Sequence, residues 1–156
     1  MILYHGTCDT FVPDIKREGL TPTKHPMQLE NAGLCELLLK NKHDEKSALY
    51  LTASLDTARQ FADFRARYER TPYDHIVTFG PTGGNTKRKL SHAVHPTAKP
   101  VIVSVNVPDT WKPYIHADPQ IPSEAKAYWT SKAIPPQFIK RITTSRLDYH
   151  GKVWYE

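Results

Sequence analysis

The stretch PVIVSVNV at positions 100–107 contains the strongest strand signal in this chain and decides its fold class. Its β-branched side chains follow one another almost without interruption, and such a run predicts a strand rather than a helix. Further strand signals lie on either side of it, at positions 2–5, 48–52, 75–79, 128–130, 141–147 and 153–155. Because strands outnumber helices, we expect a single α+β domain over residues 1–156.

Helical spacing is confined to three stretches in the first half of the sequence. After a turn at Gly6-Thr7, a first helix is capped by Asp9 or Thr10 and ends at Gly19. A second helix covers positions 31–42, and a third begins after an N-cap at Ser54. The inner face of the third helix contains Ala58, Phe61, Ala62 and Arg65. The segment 80–100 is rich in Gly, Pro and basic residues, which predicts a long loop.

Composition and charge limit the possible partners. The chain has 21 Lys and Arg against 16 Asp and Glu, a formal net charge of +5. This balance suits a nucleic-acid partner, although many basic proteins bind none. No apolar run approaches the ~20 residues that a membrane span needs, and the N-terminus lacks a signal-peptide pattern. Cys8 and Cys35 fit no metal-binding spacing. We therefore expect a reduced, cytoplasmic protein without a metal or a membrane contact.

The first cluster suited to chemistry is His5-Gly6-Thr7 at the end of the first strand. A histidine in this place can present a ring nitrogen, and the following glycine lets the backbone come close to a ligand. Taken alone, the pattern is more typical of a structural histidine before a turn.

Two further clusters follow along the chain. Tyr50 lies on a strand, and Phe61 follows eleven residues later on the next helix, so the two rings could enclose a flat heterocycle. The alternative is that Phe61 belongs to the core. Glu124 precedes the strand at 128–130 and the turn Ile134-Pro135-Pro136. A carboxylate there could stabilise a cationic sugar, but alone it is more typical of a solvated surface residue.

In this order, the three clusters resemble the ADP-ribosyltransferases with a His-Tyr-Glu set, which include DarT-like toxins and PARP-like enzymes. In that family a His-Gly pair lies on the first strand, a Tyr with a second aromatic residue follows, and a Glu begins a late strand. The resemblance covers most of the chain except residues 71–99. It implies a fold of two packed antiparallel sheets with helices near the N-terminal half.

One position departs from the family pattern. Counting back from Ile134, the family's catalytic glutamate falls near position 127 or 128, where this chain has Ala127 and Tyr128. Either Glu124 takes the role after a small shift, or Ala127 replaces the glutamate, in nature or as an engineered inactive variant. The strand Ala-Tyr-Trp-Thr at 127–130 matches the family best with Glu at 127, which favours the second explanation.

The resemblance implies that NAD⁺ is the substrate and that no metal is needed. In the family pattern, His5 binds the adenosine ribose and Gly6, beside Thr7, binds the nicotinamide carboxamide through its backbone. Tyr50 and Phe61 stack on the nicotinamide ring. Cleavage of the glycosidic bond leaves an oxocarbenium-like ribose, which a nearby carboxylate stabilises.

The acceptor of the ADP-ribose is expected to be RNA or DNA. Lys87, Arg88 and Lys89 could contact phosphates, and DarT-like toxins modify nucleic-acid bases, in keeping with the basic charge. A toxin of this kind would have an antitoxin partner. A solvated loop is the alternative for the basic segment, and a protein or a small molecule is the alternative acceptor. Two rivals stay open: an NAD-dependent tRNA 2′-phosphotransferase, and an inactive relative that binds NAD⁺ or nucleic acid.

Overall fold

The computed structural model describes residues 1–22, 48–70, 73–77, 85–89, 95–118, 125–147 and 153–155. Within these ranges, two α-helices lie in the N-terminal half: α1 (Val12–Glu18) and α2 (Leu55–Arg70). The strands are β1 (Ile2–Cys8), β2 (Leu49–Thr52), β3 (Tyr73–Val77), β4 (Asn85–Lys89), β5 (Pro100–Asn106), β6 (His116–Ala117), β7 (Ala127–Thr130), β8 (Ile139–Leu147) and β9 (Val153–Tyr155). Short 3₁₀ turns cover Asp9–Phe11, Asp109–Tyr114 and Pro136–Phe138.

The predicted α+β class is confirmed, with antiparallel pairing throughout the described ladders. Seven strands form one sheet in the order β6-β7-β2-β1-β5-β8-β9, and β3 pairs with β4 in a separate hairpin. The described residues thus contain one large sheet and a two-stranded hairpin. The expected arrangement of two packed sheets stays a prediction. In the described part of the chain, no helix is long and apolar enough to cross a membrane.

Cross-strand register assigns the residues of the sheet to two faces. Helix α2 packs on the face that contains Tyr4 and Ile102, through its Ala58 and Ala62. The opposite face forms the larger core, because β1, β2 and β5 alternate and present their other side chains there. That core contains Leu3, Leu49, Leu51, Val101, Val103 and Val105, with Trp111 and Ile134 from the surrounding turns.

A buried ion pair lies within helix α2, near its C-terminal end. Arg65 Nη2 lies 2.8 Å from Glu69 Oε1, and less than a tenth of either side chain is exposed. The Arg65 guanidinium also lies over the Phe11 ring at 4.6 Å, which ties the helix to the segment after β1. At the other end, Ser54 Oγ accepts from the Thr57 N–H at 3.2 Å, so the predicted N-cap is confirmed.

Several predicted boundaries near β1 are wrong. The turn expected at Gly6-Thr7 is absent because β1 continues to Cys8, with Gly6 and Thr7 paired to Ile102 and Val101. Asp9 does not cap the helix. Its carboxylate instead accepts from the Lys99 N–H at 2.9 Å. The C-terminal end at Gly19 is confirmed, since Gly19 has φ 81° and donates to Ile15 O at 2.8 Å.

Two further predictions concern the loop expected at 80–100 and the helix expected at 31–42. The segment 80–100, expected to be a loop, contains β4, whose register pairs Lys87 with His75. Lysine and arginine are poor strand formers, so their pairing with β3 carried no local signal. The helix expected at 31–42, together with Cys35, lies outside the described residues.

Candidate functional site

The site begins where β1 and β2 separate. Within the described residues, the ladder between these strands consists of the single pair Tyr4 and Thr52. In contrast, β1 pairs with β5 over seven positions, and all four residues of β2 pair with β7. The sheet therefore has an opening between β1 and β2, beside His5, Gly6 and Tyr50.

Backbone hydrogen bonds fix which groups face this opening. Met1 and Val107 exchange backbone bonds at 2.9 and 2.8 Å, and the Asp9 N–H donates to Lys99 O at 2.9 Å. In an antiparallel ladder, every second residue bonds to the same neighbour. The odd-numbered residues of β1 therefore bond to β5, and the N–H and C=O of Gly6 point toward β2. One donor and one acceptor of Gly6 thus face the opening.

The His5 side chain bridges the opening to Tyr50. Its Nδ1 lies 2.9 Å from the backbone carbonyl oxygen of Tyr50. A carbonyl oxygen only accepts, so Nδ1 carries the proton of this bond. Burial, assisted by the charge of Arg65, lowers the pKa of His5 despite the opposing effect of the bond to Tyr50. The imidazole is therefore neutral near pH 7, with Nε2 as a hydrogen-bond acceptor.

Gly6 also lies where α2 comes closest to the sheet. A Cβ at this position would clash with the Ala58 carbonyl oxygen and would lie 2.6 Å from Ala62 N and 2.9 Å from Phe61 Cβ. Glycine is therefore required by helix packing, whatever the ligand. Phe61 stands directly over Gly6 as a result.

Tyr50 belongs to the same face of the sheet as Gly6 and Phe61. Tyr4 pairs with Thr52, and side chains alternate along each strand, so the even-numbered residues of β1 and β2 share the face that α2 covers. Tyr50 and Phe61 are both half-buried. The structure thus brings Gly6, Tyr50 and Phe61 together on this face, whereas the His5 side chain belongs to the opposite face by the same alternation and reaches the opening through its bond to Tyr50 O. Thr7 is buried on the opposite face, in register with Val101, and its assignment stays a prediction.

Ala127 is the first residue of β7 and lies in register with Thr52. The chain is held just before it, because Thr52 Oγ1 donates to Ala125 O at 2.5 Å and the Ala53 N–H donates to Lys126 O at 3.0 Å. Lys126 adopts a left-handed backbone with φ 46°. The position at which the sequence resemblance leads us to expect a glutamate is thus fixed on the face that α2 covers. Glu124 lies outside the described residues.

Sequence reasoning missed a buried carboxylate beside this position. Asp118 follows β6 and is 6% exposed, and its N–H donates to the Ala127 carbonyl oxygen at 3.0 Å. No signal pointed to it, because β6 has only two residues and shows no periodicity. Only the pairing of β6 with β7 brings Asp118 to the site.

The predicted basic cluster lies on β4. Backbone register pairs Lys87 with His75, Arg88 with Asp74 and Lys89 with Tyr73. The three residues occupy consecutive positions of this strand.

Metal-ligating side chains and comparisons with known proteins add no further residue to this site. Within the described ranges, there is no group of three or more His, Cys, Asp or Glu side chains that could hold a metal ion. A scan against protein-family models gave no match, and a search of curated proteins gave none either.

Proposed function

We propose that this chain is an NAD⁺-dependent mono-ADP-ribosyltransferase with an ADP-ribosyltransferase fold, and that the β1–β2 opening binds NAD⁺. The observation that carries the proposal is the arrangement of Gly6 at that opening. Its N–H and C=O face β2, Phe61 stands over it, and Tyr50 shares the same face. Three separate segments of the chain, containing His5-Gly6, Tyr50 and Phe61, thus meet beside the point where the β1–β2 ladder ends.

The groups at the opening match the chemistry of nicotinamide. A carboxamide has two N–H donors and one carbonyl acceptor, which complement the C=O and the N–H of Gly6. The nicotinamide ring would then lie against Tyr50 and Phe61, where stacking contributes about 0.5–1.5 kcal/mol beyond burial. Nε2 of the neutral His5 would accept a hydrogen bond from a ribose hydroxyl, while Nδ1 continues to donate to Tyr50 O.

This geometry supports transfer at the ribose carbon attached to nicotinamide. When that bond breaks, its electron pair neutralises the pyridinium ring, so nicotinamide leaves without an acid. The ribose becomes oxocarbenium-like and needs a nearby negative charge. The sheet face that contains Tyr50 continues to Thr52 and Ala127, so a carboxylate on β7 or beside it would stand on the correct side of the ring.

For the acceptor we propose RNA or DNA, because of the net charge of +5 and the basic strand β4. Phosphate contacts by Lys87, Arg88 and Lys89 would attract such an acceptor. A toxin that works in the cytoplasm with an antitoxin partner is the corresponding biological role. A protein side chain or a small molecule is the alternative acceptor.

A second candidate function is favoured by Ala127. Since the family's glutamate is missing at this position, the chain could bind NAD⁺ or nucleic acid without transferring ADP-ribose. Release of nicotinamide from NAD⁺, measured with single-stranded RNA, single-stranded DNA and casein as acceptors, distinguishes the two. Release stimulated by a nucleic acid supports the transferase, whereas NAD⁺ binding without any release supports the inactive relative.

A further inference from the structure

We infer that Asp118 supplies the carboxylate that the family resemblance places at position 127. The inference rests on the proposed function, since it assigns a role within the same NAD⁺ site. It concerns the residue that stabilises the ribose cation and therefore decides whether the chain is active.

The position of Asp118 follows from strand register. His116 pairs with Trp129 and Ala117 with Tyr128, so the next pair is Asp118 with Ala127, and the 3.0 Å bond from the Asp118 N–H to Ala127 O closes it. Ala127 in turn pairs with Thr52. Residues directly opposite in adjacent strands share a face, with Cβ atoms about 4.5–5.5 Å apart. Asp118 therefore belongs to the face that contains Tyr50.

The pairing also explains why position 127 holds alanine. A glutamate there would stand directly opposite the buried Asp118, and like charges in that arrangement are destabilising. Alanine at position 127 avoids this repulsion. Of the two opposite positions 118 and 127, only position 118 is then acidic. Asp118 lies on the side of β7 that faces away from β2.

In the proposed step, the bond between the ribose C1′ and the nicotinamide nitrogen breaks, and its electron pair goes to the ring. The Asp118 carboxylate lies against the positive charge that develops on the ribose. The acceptor oxygen or nitrogen then bonds to C1′ and gives up its proton to Asp118 or to water. Atoms and charge balance without a metal or an oxidant.

The test uses the full chain and four variants, with nicotinamide release and NAD⁺ affinity measured separately. Asp118→Asn should lower kcat by about 10²–10³ while the calorimetric Kd for NAD⁺ changes less than about threefold, since charge stabilisation acts on the transition state. Asp109→Asn is the matched control, because this carboxylate is exposed and its nearest cation, Lys112, is 4.0 Å away. The control should keep the activity of the unmodified chain.

Rescue separates catalysis from a structural role. Adding Ala127→Glu to Asp118→Asn should restore at least a tenth of the lost rate, whereas Ala127→Glu alone should give no gain over the unmodified chain. Full activity of Asp118→Asn, or a large gain from Ala127→Glu alone, would overturn the inference. The comparison of Ala127→Glu with the unmodified chain remains informative even if Asp118→Asn does not fold. Failure of the unmodified chain to bind NAD⁺ would instead refute the proposed function.

Discussion

Nδ1 of His5 donates to the backbone carbonyl oxygen of Tyr50 at 2.9 Å, across the opening between β1 and β2. The bond joins two residues that are 45 positions apart and fixes the orientation of the imidazole. Because the Nδ1 proton is committed to Tyr50, only Nε2 is left to meet a ligand. The same bond therefore supports the fold and sets the chemistry of the site.

Replacing His5 with asparagine separates these two roles. The asparagine amide can still donate to Tyr50 O, but it lacks an acceptor at the position of Nε2. We expect His5→Asn to keep the stability of the unmodified chain and to weaken NAD⁺ binding by about 2- to 12-fold, the effect of one hydrogen bond. His5→Leu, which leaves Tyr50 O without this donor, should also lower the free energy of unfolding by about 1–3 kcal/mol. Equal NAD⁺ affinity in His5→Asn and the unmodified chain would remove His5 from the site.

The depressed pKa of His5 predicts a pH dependence of stability. Burial favours the neutral imidazole in the folded chain, whereas the unfolded chain takes up a proton near pH 6.5. Below that pH the unfolded state binds more protons, so the free energy of unfolding falls as pH decreases, by up to about 1.4 kcal/mol per unit. Urea denaturation between pH 5 and pH 7.5 measures this slope. His5→Asn should flatten it, and identical slopes in both proteins would contradict a buried neutral His5.

Gly6→Ala tests the contact between β1 and α2. The new Cβ would overlap the Ala58 carbonyl and crowd Ala62 N, and both are backbone atoms that cannot rotate away. The helix must shift, at a cost of about 1–3 kcal/mol, typical of overpacking. Since Phe61 moves with the helix, NAD⁺ binding should weaken as well. A variant with unchanged melting temperature would show that α2 lies further from the sheet than described.

The basic strand β4 gives a prediction for nucleic-acid binding. Single-stranded RNA should bind with an affinity that falls steeply with salt, and each phosphate contact contributes about 0.7 to the logarithmic slope. Replacing Lys87, Arg88 and Lys89 together with glutamine should lower the slope by about 2.1 if all three residues contact phosphates. Lys112→Gln, at an exposed lysine outside β4, is the matched control and should leave the slope unchanged. Binding that does not depend on salt would point to a protein or small-molecule acceptor.

The sequence selected candidate residues for the site but did not predict their structural setting. His5, Gly6, Tyr50 and Phe61 each stand next to a local strand or helix signal, so their order along the chain was sufficient to select them. The turn at Gly6 was wrong because glycine is needed there for helix contact, and a tertiary contact leaves no local pattern. The opening between β1 and β2 could not be predicted, since it depends on where one ladder ends.

Asp118 shows the limit most clearly. It follows β6, a strand of two residues that is defined by its pairing with β7. A two-residue strand at the edge of a sheet has too few side chains to show alternation. Residues of this kind become visible only when the register of neighbouring strands is known.

The central claim is that the β1–β2 opening binds NAD⁺, and calorimetric titration of NAD⁺ into the unmodified chain and Tyr50→Ala tests it most directly. Tyr50→Ala removes the ring proposed to stack on nicotinamide while leaving the backbone acceptor of the His5 bond in place. The account predicts saturable one-to-one binding by the unmodified chain and affinity at least fivefold weaker in Tyr50→Ala, since stacking and burial are both lost. No binding by the unmodified chain, or equal affinity in the two proteins, would contradict the account.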